Sequence, residues 1–228
     1  MDWIKKCCAG MAWYADSQWP SGGKVCRLAR APDLELKAAL LDQIVFYLAD
    51  RGLGDVSLRP LARALDISLN GLVHHFGTKD EMVVAALSRS IKIQDDVQRR
   101  WIGRNPGLSQ ADLHRRWWRW INSSPRNLAL VRLGLEAATL DATVSHLPGS
   151  VRAEQIGVWR TDIEQRLASA GLSAEAAELE ASLVKALFTG LVIDLMATGE
   201  RVRLTRSLEV GLTRLEAVVQ SAQLATAQ

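Results

Sequence analysis

Residues 57–81 read SLRPLARALDISLNGLVHHFGTKDE. Ser57 is placed to cap a helix, and Pro60 falls in its first turn, where a missing N–H costs little. Leu58, Leu61, Ala62 and Leu65 form its apolar stripe. After the break at Asp66-Ile67, Ser68 caps a second helix that runs to about His75. Thr78 and Glu81 then form the Thr-x-x-Glu capping box of a third, longer helix. That helix is expected to reach Trp101 and to end at Gly103 and Pro106. Two short helices around a tight turn are a helix-turn-helix, whose second helix can enter the major groove of DNA. A groove-reading helix needs an apolar inner face and small or polar outer residues. Ile67, Leu72 and Phe76 supply the first, and Ser68, Leu69, Asn70, Gly71 and His74 the second.

Upstream, Asp33 is a plausible N-cap. Leu41, Ile44, Val45 and Leu48 fall at i, i+3, i+4 and i+7, one face of a helix that Gly52 would end in a left-handed conformation. Downstream the pattern stays helical. Helices are expected over Ser109 to Asn122 and from near Pro125, with a break at Pro148-Gly149. Ile156, Trp159, Ile163 and Leu167 mark another helix, stopped by Gly171. Ser173 caps a long one ending at Gly199, and Leu204, Leu208, Gly211, Leu212, Leu215 and Val218 keep the period of the last. No segment alternates as a strand would. The chain reads as all-α, with about nine helices. Residues 1–31 show no sustained period and read as a flexible extension.

Composition narrows the function class. The chain has 228 residues, with 48% apolar and 23% charged side chains, as a soluble globular protein has. The net charge of +3 is segregated. Residues 92–132 hold nine basic against three acidic side chains, and residues 33–91 hold six against eight. Lys5 and Lys6 interrupt the start where a secretion signal needs an apolar run. The stretch Leu183 to Ala197 is broken by Lys185 and Asp194 and is shorter than the ~20 residues of a membrane span. A cytoplasmic protein with no membrane partner is expected. Cys7, Cys8 and Cys26 show no metal-ligand spacing. His74 and His75 point ~100° apart on a helix, a poor metal pair. No acid–base or nucleophile constellation is visible, so neither an enzyme nor a bound cofactor or metal is expected.

The stretch from Leu36 to Leu87 resembles the N-terminal DNA-binding domain of the tetracycline-repressor (TetR) family of bacterial regulators. The resemblance rests on Ser57-Leu58-Arg59, Leu61-Ala62, Leu72, His75-Phe76, Lys79 and Asp80-Glu81, spaced without a gap. It implies an N-terminal three-helix helix-turn-helix DNA-binding domain, residues 32–80. Residues 81–228 would then form a helical C-terminal effector-binding and dimerisation domain. It also implies DNA-facing roles for Ser57 and Arg59, and for Ser68, Leu69, Asn70 and Gly71 at the start of the reading helix. His74, His75, Thr78 and Lys79 complete the set, with Lys79 on a phosphate beside a free helix N-terminus. Two departures stand out. Val73 replaces a tyrosine whose hydroxyl bonds a phosphate, and Asp66 replaces the turn glycine. Lys24, Arg27 and Arg30, ahead of the first helix, are candidates to compensate.

The resemblance implies a ligand-responsive transcriptional regulator, a repressor, binding a palindromic double-stranded operator as a homodimer. The alternative is a dimer of the same fold that binds a ligand or protein without reading DNA. The middle helices would enclose a small-molecule effector, and here the chain is unusual. It has eight Trp against three Phe and two Tyr, and no Trp lies in residues 33–91. Trp101, Trp117, Trp120, Trp159 and Phe188 are the candidate pocket residues, suited to a flat, partly apolar ligand. Trp117 and Trp120 share a face at i, i+3. For the dimer, Ser182, Ala186, Gly190, Ile193 and Ala197 recur at helical spacing and let a partner helix approach. Leu208, Leu212 and Leu215 of the last helix are assigned to the same interface, while Leu183, Leu187, Leu191 and Leu195 are expected to face the core.

Overall fold

The computed structural model describes residues 31–54, 56–139, 153–154 and 159–226. The extension with Lys24, Arg27 and Arg30, the Pro148-Gly149 break and Ile156 lie outside them. The described residues form nine helices and no strand. They are α1 (Ala31–Arg51), α2 (Leu58–Ala64), α3 (Leu69–Phe76), α4 (Lys79–Arg104), α5 (Gln110–Ser123), α6 (Pro125–Thr139), α7 (Arg160–Ser169), α8 (Ala174–Thr198) and α9 (Arg201–Thr226).

Local chemistry sets most of the boundaries. Ser68, Ser109 and Ser173 each accept a hydrogen bond from the backbone N–H three residues on. Thr78 and Glu81 close both halves of the capping box. The backbone N–H of Thr78, and after it the side-chain hydroxyl, hold the Glu81 carboxyl below its ordinary range. Gly52 ends α1 at φ +84° and Gly199 ends α8 at φ +70°, the left-handed conformation that suits glycine. Asp66, standing where the turn glycine would be, adopts φ +54°. A short polar side chain tolerates that region better than most.

Four boundaries differ from the sequence reading, one of them at Trp159, which precedes α7 at φ +66° instead of lying within it. α1 begins at Ala31, so Asp33 sits inside the first turn rather than at the cap. Ser57 occupies the N-cap position of α2, but its side chain makes no capping bond. α4 runs through Gly103 to Arg104, because a single glycine weakens a helix without ending it.

The core has two parts. One gathers Ile44, Val45 and Leu48 of α1 with Leu61, Leu72, Phe76, Met82 and Leu87, and closes on Leu130, Leu133 and Ala137 of α6. The other lies among α5, α7, α8 and α9 and includes Trp117, Trp118, Phe188, Leu204, Leu208, Leu212 and Leu215. Trp120 packs against both. α8 is long and apolar enough by composition to cross a membrane. It nevertheless packs its buried face on α7 and α9 and pairs Glu180 with Arg214, two bonds of 2.6 and 2.8 Å.

Candidate functional site: a reading helix and an aromatic cavity

α2, the turn at Asp66 and α3 form the helix-turn-helix. Leu72 and Phe76 are buried, as an inner face requires, and Ile67 is half-buried. Ser68, Leu69, Asn70 and His74 are exposed on α3, and so are Ser57 and Arg59 beside it. Thr78 and Lys79 are exposed at the start of α4. Gly71 and His75 are half-buried. Gly71 is confined by the turn before its helix: a Cβ there would lie 3.1 Å from both Ile67 and the Ser68 hydroxyl. Val73 is 45% exposed on this outer surface, an apolar side chain among polar ones.

α6 fastens this unit to the rest of the chain. The Glu136 carboxylate accepts from the Leu53 N–H at 2.6 Å, just beyond the end of α1. Arg132 donates to the Ala49 carbonyl, one of the last of α1. The Arg126 guanidinium lies over the Phe46 ring, 3.2 Å from its centroid. On the neighbouring side Arg89 of α4 makes a two-pronged bond to Asp42, 2.6 and 3.1 Å.

α4, α5, α7 and α8 surround a cavity of about 120 Å³. Trp117, Trp159 and Phe188 line it, as do His114, Gln110, Arg166 and Lys185. Of the five aromatic candidates, Trp101 and Trp120 do not line it. Both back Trp117 instead: Trp120 stacks on it with centroids 4.5 Å apart and planes 14° apart, and Trp101 meets it edge-on at 6.1 Å. Trp117 and Trp120 do share one face of α5, and the stack occupies it. Trp118 lies in the same core but turns toward α9, where its indole N–H donates to Thr205 at 2.8 Å.

The polar lining was not legible from spacing. His114 is an isolated histidine in the sequence, yet it is buried edge-on to Phe188. Burial lowers its pKa to about 4, with Lys185 and Arg166 adding to the effect, so the ring is neutral at pH 7. Lys185 lies over Trp159, 5.2 Å from its ring, and burial lowers its ammonium to about 8. Arg166 donates to the Gln110 side chain at 3.0 Å and to the Leu108 carbonyl. The buried Trp159 indole N–H has no acceptor among the described residues.

The interface candidates divide. Ser182, Ala186, Gly190, Ile193 and Ala197 are exposed on α8, whereas Leu208, Leu212 and Leu215 are buried inside the chain. The sequence reading of those three as interface is therefore corrected: the face of α9 that carries them packs on the chain's own helices. Leu183 departs in the other direction, 53% exposed where a core position was expected, and Leu187 is half-buried.

Residues 40–86 match the family model described as "Bacterial regulatory proteins, tetR family". The chain has the tetR-family regulator fold. A transcriptional regulator from Rhodococcus sp. superposes with a TM-score of 0.59 at 23% identity, over 80% of this chain and 94% of that one. A member of the tetR family from Streptomyces coelicolor gives 0.56 at 22%, over 78% and 97%. The multidrug binding protein EbrR, complexed with imidazole, gives 0.58 at 23%, over 87% and 97%. No curated protein sequence matches. In the tetR fold, an N-terminal helix-turn-helix is followed by a helical C-terminal part.

Proposed function

We propose that this chain is a cytoplasmic, ligand-responsive transcriptional repressor that binds a palindromic operator as a homodimer. The observation that carries the reading is the outer face of α3. It is exposed and, apart from Leu69 and Val73, small and polar; it stands on a buried apolar face, and the exposed Lys79 and capped N-terminus of α4 lie beside it. That surface suits a major groove flanked by phosphates. Asn70 matches the two hydrogen-bonding edges of adenine, Arg59 those of guanine, and Leu69 a thymine methyl group.

The homodimer reading rests on α8. Leu179, Leu183, Ala186, Gly190, Ile193 and Ala197 alternate by four and three residues, and all are exposed. An apolar seam of that spacing suits a second helix. Two-fold symmetry then presents two copies of α3 to half-sites about one turn, ~34 Å, apart.

The effector reading rests on the cavity and its connection to α6. A ligand against Trp117 bears on Trp120, which also packs on the core that gathers α1 and the helix-turn-helix. α6 carries Leu130 and Leu133 in that core, Arg132 on α1 and Glu136 on Leu53 just beyond it. A ligand favouring one arrangement of this stack over the other shifts operator affinity, and the operator shifts ligand affinity by the same factor. The multidrug binding protein of this fold was solved with a one-ring compound, and the cavity here suits a ligand of that scale.

The alternative, a dimer that senses without reading DNA, is favoured by Val73 on the outer face. A gel shift with the DNA flanking the protein's own gene, run over a salt series, separates the two. Saturable binding whose salt slope falls by about one unit in Lys79→Ala supports the repressor. Retardation equal to that of random DNA supports the alternative.

A further inference from the structure

His114 brings to the cavity a polar atom that the fold does not use. An apolar protein cavity of about 150 Å³ takes up benzene. At about 120 Å³, this one admits a single ring and little more. Its charged lining is engaged within the chain or open to water. Asp95 pairs with Arg99 at 2.7 Å, Arg166 donates to Gln110 and Leu108, Lys185 lies over the Trp159 ring, and Asp162 is exposed. Gln110 and His114 are the buried polar side chains of the lining, each 8% exposed. The Gln110 amide is used at both ends. Its oxygen accepts from Arg166 at 3.0 Å, and its nitrogen lies 3.0 Å from Nδ1 of His114. The same Nδ1 lies 2.9 Å from the Gln110 carbonyl oxygen. Both polar contacts of the histidine therefore fall on one nitrogen. The other, Nε2, has no hydrogen-bond partner among the described residues. Burial keeps the ring neutral, with a pKa of about 4.

We propose that the effector is a neutral one-ring phenol, whose hydroxyl bonds Nε2 of His114 and whose ring lies among Trp117, Trp159 and Phe188. This rests on the reading of the cavity as the effector site. Nε2 donates or accepts according to which nitrogen carries the ring's one proton. A hydroxyl answers either, having a hydrogen to give and lone pairs to receive one. A carboxylate only accepts and an ammonium only donates, and each would bring a full charge out of water to a neutral partner. The walls suit a ring. Trp159 meets Trp117 edge-on at 5.2 Å and Phe188 meets His114 edge-on at 5.6 Å, an arrangement in which aromatic rings attract. His114 is thus a specificity residue, held in place by Gln110 and by Arg166 behind it.

The test is calorimetric titration of the full chain with phenol, toluene, benzoate and benzylamine, where toluene has the shape of phenol without its hydroxyl. The expected result is saturable binding of phenol, tighter by about tenfold than that of benzoate or benzylamine. In His114→Leu the preference for phenol over toluene is expected to fall by about tenfold, with toluene still bound, which reports an intact cavity. His114→Gln carries an amide about as far out as Nε2, able to donate and accept, and should keep most of the preference. Should the leucine variant lose toluene too, the glutamine variant decides alone, by keeping the preference or losing it. Benzoate or benzylamine binding as tightly as phenol overturns the proposal. So does phenol that fails to bind, or a phenol preference that survives intact in His114→Leu. The same probes on the operator gel shift keep the two readings apart. Phenol binding without release of DNA sinks the repressor mechanism and leaves the ligand class standing. Sequence-specific DNA binding by a chain that takes up no phenol sinks the ligand class and leaves the regulator standing.

Discussion

Val73 and His114 are single side chains whose environments make opposite predictions. Val73 lies on the outer face of α3, where an exposed isopropyl group gains nothing from water and cannot bond a phosphate. Val73→Tyr supplies a hydroxyl at that position. It is expected to tighten operator binding by about 1 kcal/mol, several-fold, in a gel shift at fixed salt. Unchanged affinity would mean that α3 does not lie on DNA as proposed. His114 carries its cost inward. Its pKa is lowered from 6.5 to about 4, first by burial and then by Lys185 and Arg166, against a raising bond to the Gln110 carbonyl. An unfolded histidine takes up its proton below about 6.5, and this one does not until about 4. The unfolded state therefore binds the extra proton between those values, and stability falls as pH falls through them. The loss is about 3 kcal/mol if the shift is fully expressed. The charged groups that face the cavity with it are Asp95, Arg99, Asp162, Arg166 and Lys185. Urea melts at pH 7, 5.5 and 4.5 should show His114→Leu with a flatter acid limb than the parent chain. Parallel limbs would place the acid sensitivity elsewhere.

α6 is the element on which the two halves of the molecule depend. Glu136→Ala removes the acceptor of the Leu53 N–H, a partly buried donor beyond the end of α1. The expected cost is about 1–2 kcal/mol in urea unfolding, with faster hydrogen exchange at the Leu53 amide. Glu136→Gln keeps an acceptor oxygen and should retain most of the protection. Equal exchange in the parent and the alanine variant would show that the contact does not hold α1. This element also marks the limit of what the sequence discloses. The helix-turn-helix was legible because its cues are local: Ser68, the Thr78–Glu81 box, and an Asp66 able to turn left-handed. The ends of α8 at Ser173 and Gly199 were legible for the same reason. The bonds from α6 join residues 83 positions apart, and no periodicity carries them. The cavity followed the same rule. The aromatic content pointed to the half of the chain that holds the cavity, and the i, i+3 spacing put Trp117 and Trp120 on one face. Yet Trp120 fills that face by stacking, and Lys185, His114 and Arg166 reach the cavity from three helices. The burial of Leu208, Leu212 and Leu215 was missed because an amphipathic helix does not say which of two apolar neighbours it meets.

At the scale of the whole molecule, the exposed seam on α8 requires a partner if the protein is to read two half-sites. Val202 and Val210 on α9 are also exposed, at 69% and 74%. Gly190 lies in the middle of the seam, and a Cβ built there meets nothing within 4 Å. A side chain at that position is therefore tolerated by the chain itself and obstructs only a helix arriving from outside. Gly190→Arg is expected to leave the helical content and the urea midpoint within about 0.5 kcal/mol of the parent. Sedimentation velocity should show the parent as a dimer and the variant as a monomer. One monomer contacts one half-site, so operator affinity should fall by about a hundredfold or more, while binding of small aromatic ligands in the cavity persists. A variant that still sediments as a dimer would move the interface off this face of α8. A variant that becomes monomeric yet binds the full operator as tightly as the parent would show that the two reading helices are not joined through it.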